Sequence, residues 1–311
     1  MPLLELNRLQ ASVPDKCKVI PNIKGTAPGM FFNIKNSDRS TLLFSLPGVP
    51  YEMEYLLKFV LQLIKKNLNL NEIYHKTIIT FGIPESVLSN TIESWELNLP
   101  DYIKLAYLPN PLIGIRLRLS IYDCEMDKAI TEIENQILLL REILGNAIYG
   151  EGDDNLEIVV TRLLQERGKT LSLAESCTGG QIASLLTKIP GVSKVFKGGL
   201  VAYNNDVKIS KLKVSKETLL KYGAVSEKCA QEMSEGARRL FNSDYSVSVT
   251  GIAGPDGGST DKPVGTAWIS FSSENVTISK KVVSTGDRQR NIERVSAEAL
   301  NFVRLQLIEN K

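Results

Sequence analysis

Residues 170–189 read TLSLAESCTGGQIASLLTKI, and this stretch decides the fold of the second half of the chain. The apolar run Thr170–Ala174 predicts a buried strand, and the pattern over 180–189 predicts a helix. Between them lies a tight turn, Glu175–Gly180, that carries two hydroxyls and a thiol. In α/β folds, ligands bind at turns that follow the carboxyl ends of strands. We therefore expect a ligand site at this turn.

The sequence on both sides of this turn predicts an independent α/β domain over 154–311, a sandwich with a mixed sheet. A helix is predicted at 154–167, and further strands at 195–203, 245–250, 265–271 and 276–284. Polar residues that can cap helices precede three apolar-periodic segments: Asp206, Ser226 and Asp287.

Two smaller segments precede this domain. Residues 74–150 predict a compact α+β unit, with strands at 76–81 and 113–121 and helices at 84–97 and 126–145. Residues 1–73 predict a hairpin, with strands at 30–34 and 41–45, and a helix at 51–67. The polar, glycine-rich stretch Tyr149–Asp154 is the best candidate for a linker. The whole is thus an α/β protein of several domains.

Composition excludes several functional classes. A chain of 311 residues suggests two or three domains, and a net charge of +2 gives no electrostatic argument for nucleic acid or an anionic membrane. The one histidine, His75, excludes both a Ser-His-Asp triad elsewhere in the chain and a zinc site that needs two histidines. The four cysteines form no CxxC pair, and they follow no signal-like N-terminus. Widely spaced cysteines of this kind suggest a reducing environment, so we expect a cytoplasmic protein. No apolar run is long enough to predict a membrane-spanning helix.

Three loops carry residues suited to chemistry. Unpaired amides after Ser176 can receive an anion or an oxyanion, although a structural turn with a serine or threonine cap fits the local sequence equally well. Lys208 lies near a predicted helix start, where the helix dipole and burial lower a lysine pKa and suit it to act as a base. The alternative is a solvated lysine. Lysine is the usual substitute when a nucleophilic serine has no histidine, so Ser176 and Lys208 form a candidate pair.

The third loop, Thr250–Ser259, follows a strand and holds four glycines. Such loops wrap phosphates or planar rings, although a long hairpin connection has the same composition. It matches neither GxGxxG nor the P-loop pattern. Arg288, after Gly286 and Asp287, can pair with a carboxylate or phosphate, or lie on a helix surface.

Six stretches occur in an order that resembles the C-terminal domain of the CinA (competence/damage-inducible) family: Ala174–Gly180, Tyr203 and Asn204 with Lys208, Gly223–Ser226, Thr250–Gly258, Lys262–Thr266 and Gly286–Arg288. The resemblance covers residues 154–308. In that family this domain is the nicotinamide mononucleotide deamidase. The resemblance implies an amidohydrolase that forms nicotinate mononucleotide and ammonia and recycles pyridine nucleotide, without a metal or cofactor.

The resemblance also implies roles for individual residues. Ser176 is the nucleophile, with Cys177 as its rival, and Lys208 is the base, with Tyr203 relaying or orienting. Oxyanion donors come from Cys177, Thr178, Gly179 and Gly180, or from the loop between Gly251 and Gly254. Thr250 holds the ring or amide, and Arg288 binds the phosphate or orders the site.

The earlier segments resemble other parts of CinA proteins. Residues 74–150 resemble their KH-like domain, although the Gly-x-x-Gly loop of RNA-binding KH units is absent, which argues against nucleic acid as a partner. Residues 1–73, through Asn7, Gln10, Gly25–Gly29 and Ser45–Pro50, resemble the second half of a molybdopterin-binding-like domain that is associated with ADP-ribose pyrophosphatase activity. The glycine-rich and paired-Asp motifs of its first half are absent. We therefore expect pyrophosphatase activity only if the missing half is supplied. We also expect residues 1–73 to expose apolar surface that the missing half would cover.

Two other functions remain open. One is a non-catalytic protein that binds nucleotide or acts as a competence-associated partner. The other is an amidase for a different small amide, because substrate choice depends on pocket shape. We expect the protein to bind a small nucleotide as its substrate and not to bind a membrane. We also expect it to form a homo-oligomer, in the simplest case a dimer.

Overall fold

The protein is described by a computed structural model over residues 12–35, 40–68, 72–110, 114–123 and 125–309. The chain divides into two compact units, residues 1–72 and 73–311. The division into three domains at 73/74 and 150–154 stays a prediction. Asn7 and Gln10, which carry part of the resemblance, and Cys124 lie outside the described residues.

The first unit is a small antiparallel sheet with one helix. Its strands are β1 (Lys18–Ile20), β2 (Gly29–Lys35) and β3 (Ser40–Ser45), in that order, and its helix is α1 (Pro50–Asn67). The predicted hairpin and helix are therefore confirmed. Its buried apolar core is small and consists of Ile20, Phe31, Leu56 and Val60. Several other apolar side chains of α1 stay exposed, as expected, among them Met53, Leu57 and Leu61.

The second unit begins with a four-stranded antiparallel sheet in the order β5-β6-β4-β7. Its elements are β4 (Ile73–Thr80), α2 (Glu85–Leu97), β5 (Ile103–Asn110), β6 (Gly114–Tyr122), α3 (Met126–Leu144) and β7 (Ile148–Glu151). The predicted linker at Tyr149–Asp154 is wrong over its first residues. Ile148 and Gly150 pair with Thr80 and Ile79, so this stretch completes the sheet instead of leaving it.

The rest of the second unit contains a five-stranded mixed sheet in the order β12-β11-β10-β8-β9. Strand β8 lies between β9 and β10 and runs parallel to both, whereas β10, β11 and β12 are antiparallel neighbours. The elements are α4 (Leu156–Glu166), β8 (Leu171–Glu175), α5 (Gln181–Thr187), β9 (Phe196–Val201), α6 (Asn205–Leu212), α7 (Lys216–Tyr222), α8 (Glu227–Phe241), β10 (Tyr245–Gly251), β11 (Thr266–Ser272), β12 (Thr277–Val283) and α9 (Arg288–Glu309). The prediction of a mixed α/β fold with a mixed sheet is confirmed.

Helices cover both faces of this sheet, because successive strand residues point to opposite sides. Leu173 of β8 packs in a core with α4, α5 and α9, whereas Ala174 packs in a second core with α6 and α8. Ile79, Phe81 and Tyr149, from the region of the four-stranded sheet, belong to the first of these cores. The four-stranded and five-stranded sheets of the second unit therefore share buried apolar surface. Within the described residues, no helix has the length and apolar character needed to cross a membrane.

Candidate active site

Glu175, the last residue of β8, holds the turn that follows it. Its carboxylate accepts hydrogen bonds from the amides of Gly180 (3.0 Å), Ile182 (3.1 Å) and Ala183 (2.9 Å), and its side chain is buried. A carboxylate at a helix N-terminus satisfies unpaired amides and interacts favourably with the helix dipole. The expectation that the first amides of α5 receive a ligand anion is therefore corrected, since Glu175 already occupies them.

Lys208 on α6 reaches the first residue of this turn. Its Nζ donates to Ser176 Oγ at 3.0 Å and to the carbonyl oxygens of Ala202 (2.6 Å) and Tyr203 (3.4 Å). The helix that carries it is capped by Asn204, whose side chain accepts from the Asp206 amide, so the predicted cap at Asp206 is wrong by two residues. The predicted caps at Ser226 and Asp287 are confirmed.

Burial shifts Lys208 toward its neutral form. Its side chain is 1% exposed, and it forms no ion pair with any carboxylate in the described part of the chain. Burial lowers its pKa below 10.5, because the charged form loses its hydration. In the neutral form, the two N–H groups of Lys208 can donate to the carbonyl oxygens of Ala202 and Tyr203 while its lone pair accepts the proton of Ser176, which is the requirement for a general base.

The neighbouring thiol is poorly suited to act as the nucleophile. Burial raises the pKa of Cys177 to about 12, and the reactive form of cysteine is the thiolate. Cys229 on α8 is also buried, and burial raises its pKa to about 11. The hydroxyl of Ser176 is therefore the better candidate of the two predicted nucleophiles.

Arg288 joins the glycine-rich loop to Tyr203. Its guanidinium donates to the Gly254 carbonyl at 2.6 Å and to the Tyr203 hydroxyl at 2.8 Å. The Tyr203 hydroxyl thus pairs with Arg288, and only the Tyr203 carbonyl contacts Lys208. In this geometry the phenol does not relay a proton between Lys208 and Ser176. The Thr250 hydroxyl donates to the Ala224 carbonyl at 2.8 Å, so it fixes the loop before α8.

A cleft of about 300 Å³ gathers most of the predicted site residues. It is lined by eight of them: Ser176, Cys177, Tyr203, Lys208, Thr250, Gly251, Gly254 and Arg288. Thr178, Gly179 and Gly180 do not line it. Sequence reasoning missed other lining residues, including Asn205, Val225 and Asp256. It also missed the role of Glu175, for which the available signal was a charged residue at the end of an apolar strand.

Comparisons with known proteins give the relationship. A family model described as the CinA C-terminal domain matches residues 153–307. A CinA-like protein of Flavobacterium psychrophilum is 40% identical over 99% of this chain and 73% of its own length. The chain belongs to the CinA family. A putative competence-damage inducible protein of Clostridium kluyveri is 39% identical over 97% of this chain and 72% of its own length. A solved competence damage-inducible protein A of Klebsiella pneumoniae is similar at 35% identity, with a TM-score of 0.49, over 50% of this chain and 97% of that one.

In this member of the CinA family, Thr178 keeps polar atoms without partners beside the nucleophilic turn. Its amide donates no hydrogen bond and its hydroxyl, 3% exposed, has no partner among the described residues. The Cys177 amide likewise donates to no other described residue. The amide that follows a nucleophile is a common oxyanion donor in hydrolases. The Cys177 amide is therefore the best candidate for this role here, because Cys177 follows Ser176 and lines the cleft, whereas Thr178 does not line it.

No metal site is found among the described residues, in which no three His, Cys, Asp or Glu side chains group together in an arrangement that fits an ion. The groups with candidate chemistry in the cleft are a hydroxyl, an amine, amides and a guanidinium. These groups suit attack on a neutral carbonyl carbon, with an anionic group of the same ligand near Arg288.

Proposed function

We propose that this chain hydrolyses the carboxamide of nicotinamide mononucleotide and releases nicotinate mononucleotide and ammonia. The observation that carries the proposal is the 3.0 Å contact between Lys208 Nζ and Ser176 Oγ at the base of the cleft. The geometry supports acyl transfer with a serine nucleophile. The resemblance to the CinA deamidase domain supplies the substrate.

In the first step, Ser176 Oγ bonds to the amide carbon while its proton passes to neutral Lys208. The resulting oxyanion is stabilised by the amide of Cys177, and a donor of this kind contributes roughly 3 kcal/mol. The C–N bond then breaks, and Lys208 gives its proton to the departing nitrogen, so that ammonia leaves. A water molecule next loses a proton to Lys208 and bonds to the acyl carbon; the bond from that carbon to Ser176 Oγ breaks, Lys208 returns the proton to Ser176 Oγ, and the acid product leaves as the carboxylate.

Arg288 is the group we propose for the substrate phosphate. Its present partners are a carbonyl and a phenol hydroxyl, which are neutral acceptors. A phosphate oxygen forms a stronger, charge-assisted hydrogen bond with a guanidinium. Binding would therefore exchange the Tyr203 hydroxyl for the ligand, and Tyr203, 60% exposed, can move aside or cover the bound nucleotide.

The test is ammonia release from nicotinamide mononucleotide by the full chain and by three variants. We expect release by the wild type and by Cys177→Ala, and loss of at least a thousandfold in Ser176→Ala and Lys208→Met. An active Ser176→Ala with an inactive Cys177→Ala would transfer the nucleophile's role to the thiol. Folded protein that releases no ammonia would favour the non-catalytic, nucleotide-binding alternative or another amide substrate.

Further parts of the proposal concern the rest of the chain. We propose that residues 74–150 are the KH-like domain of CinA proteins, that no pyrophosphatase activity resides in residues 1–73 alone, and that the chain is a cytoplasmic homodimer. Light scattering of the purified chain tests the dimer, and phosphate-coupled hydrolysis of ADP-ribose tests the pyrophosphatase. A monomer, or hydrolysis above background, would contradict the respective statement.

A further inference from the structure

A second cavity, of about 230 Å³, lies between α4, α5 and α9 and does not share residues with the active-site cleft. Its floor is apolar and is built from Leu156, Leu185, Ala297 and Leu300, with the ring of Tyr149 beside them. Leu300 and Leu156 are buried in the core of this sheet face, so the floor belongs to the rigid part of the fold.

The size of the cavity suits a small ring. A leucine-lined cavity of about 150 Å³ in another protein binds benzene. The present volume therefore accommodates a six-membered ring and one additional polar group. Most drug-sized ligands need 300 Å³ or more and are excluded.

The charge at the rim is negative. Glu157 on α4 and Glu293 on α9 line the cavity and are half-buried. One oxygen of each accepts from a neutral amide side chain: Asn155 donates to Glu157 at 3.3 Å and Gln289 donates to Glu293 at 2.6 Å. Within the described part of the chain, neither carboxylate forms an ion pair and the second oxygen of each accepts no hydrogen bond.

No described lysine, arginine or histidine lines the cavity to balance these two charges. Burial and the charge of Glu157 raise the pKa of Tyr149, which places this carboxylate within electrostatic reach of the cavity wall. Arg116 and Arg304 act in the opposite direction on Tyr149, but neither lines the cavity. Half-buried carboxylates without a cation favour a ligand that supplies one.

We propose that this cavity binds a small organic cation, in which an aromatic ring or a compact alkyl group fills the apolar floor and a primary ammonium group pairs with Glu157 and Glu293. The apolar group removes its surface from water, and the ammonium group donates to the two unoccupied carboxylate oxygens. The site is independent of the amidase proposal, since its residues take no part in that chemistry.

The test is calorimetric titration of the full chain with benzylamine, compared with benzyl alcohol, which has the same ring and no charge at neutral pH. We expect saturable binding of benzylamine and at least tenfold weaker binding of the alcohol. The double variant Glu157→Gln/Glu293→Gln should weaken benzylamine at least tenfold and leave the alcohol unchanged. Its control, Glu166→Gln/Glu309→Gln, removes two charges from the same helices at exposed positions outside the cavity and should bind as the wild type does.

A third variant locates the ligand. Ala297→Leu adds volume to the floor of the cavity, so it should abolish binding of benzylamine and of benzyl alcohol. Equal affinity for the amine and the alcohol, equal loss in both double variants, or benzylamine binding retained in Ala297→Leu would each overturn the proposal. Absence of saturable benzylamine binding to the wild type would overturn it as well.

Discussion

Lys208 is a buried amine surrounded by hydroxyl and carbonyl oxygens, so its protonation affects the stability of the fold. Its pKa is lowered in the folded chain, so between that value and 10.5 the unfolded chain binds more protons. Stability therefore rises with pH across this window. We expect the unfolding free energy of Lys208→Met, minus that of the wild type, to decrease as pH rises from neutral toward 10.5.

Urea unfolding at a series of pH values measures this difference. Lys211→Met is the matched control, because Lys211 lies exposed on the same helix. The difference in unfolding free energy between Lys211→Met and the wild type should not change with pH. If the Lys208→Met curve also ran parallel to the wild type, Lys208 would be charged to the same extent in both states, and its role as a neutral base would be untenable.

Thr178 carries a buried hydroxyl that has no hydrogen-bond partner among the described residues. An unpaired buried hydroxyl costs about 1–3 kcal/mol, and Thr178→Val removes it with little change of shape. We expect this variant to be as stable as the wild type or more stable by roughly 1 kcal/mol, and to release ammonia at the wild-type rate, because Thr178 does not line the cleft and its backbone amide is kept. Thr161→Val on α4 removes another unpaired buried hydroxyl and should likewise alter stability only. A tenfold loss of activity in Thr178→Val, with full activity in Thr161→Val, would show that the Thr178 hydroxyl takes part in the site.

At the scale of elements, Glu175 sets the position of α5 relative to the nucleophile. Glu175→Gln replaces one acceptor oxygen by a donor that faces helix amides, so we expect a loss of about 1–2 kcal/mol in stability. Displacement of Ser176 should lower kcat by ~10²-fold. Ser215→Ala removes the cap of α7, whose oxygen accepts from the Glu217 and Thr218 amides. This control should lose similar stability and keep its activity, and equal losses of activity in both variants would contradict a specific role for Glu175.

Gly236 determines how closely α8 approaches the helix that carries Lys208. A Cβ at this position would lie 2.0 Å from the carbonyl oxygen of Leu212, at the end of α6. Glycine to alanine within a helix normally raises stability by roughly 0.5–1 kcal/mol. Here we expect Gly236→Ala to lower it by about 1–3 kcal/mol and to reduce activity, because α6 must shift. Glu235→Ala, on the adjacent position, should leave both nearly unchanged. A stabilised and active Gly236→Ala would show that the two helices separate without consequence.

Much of this arrangement could be predicted from the sequence, because Ser176 follows β8 and Thr250 lies at the end of the parallel strand β10, and the carboxyl ends of the two strands share one edge of the sheet. Motif order alone did not reveal which atoms meet. The Tyr203 hydroxyl accepts from Arg288, and the Glu175 carboxylate accepts from the first amides of α5. Both contacts depend on the direction of a side chain, which the order of motifs does not give. The strand β7 was missed because the glycine-rich composition of 149–154 is typical of a linker, whereas pairing with β4 is a long-range contact.

On the scale of the whole molecule, the two compact units have cores of very different size. Among the described residues, the core of the first unit contains four buried apolar residues, whereas the second unit contains three larger cores. We expect the first unit to unfold at lower urea concentration, so that unfolding is not two-state. Both tryptophans, Trp95 and Trp268, belong to the second unit. Tryptophan fluorescence should therefore report a later midpoint than circular dichroism, which monitors both units.

Phe31→Ala assigns the early transition. Phe31 is 3% exposed and stacks on Phe44 with ring centroids 4.9 Å apart, so its truncation should cost about 3–5 kcal/mol within the first unit. The circular dichroism transition should begin earlier, and the fluorescence midpoint should stay in place. Coincident midpoints in the wild type, or an equal shift of both signals in Phe31→Ala, would mean that the units unfold together.

The clamp formed by Glu175 has a consequence for protein engineering. The carboxylate and the three amides that it binds all lie within residues 175–183, and the hydroxyl that we propose as the nucleophile is part of the same nine-residue peptide. The shape of the turn is thus encoded largely within this peptide, and from outside it receives backbone hydrogen bonds on two sides: Val249 accepts from the Ser176 amide, and the Ala202 amide donates to the Glu175 carbonyl. Such a peptide is transplantable: placed between a parallel strand and a helix of an unrelated scaffold, it should bring its serine in an attacking position and leave the designer to supply only an amine.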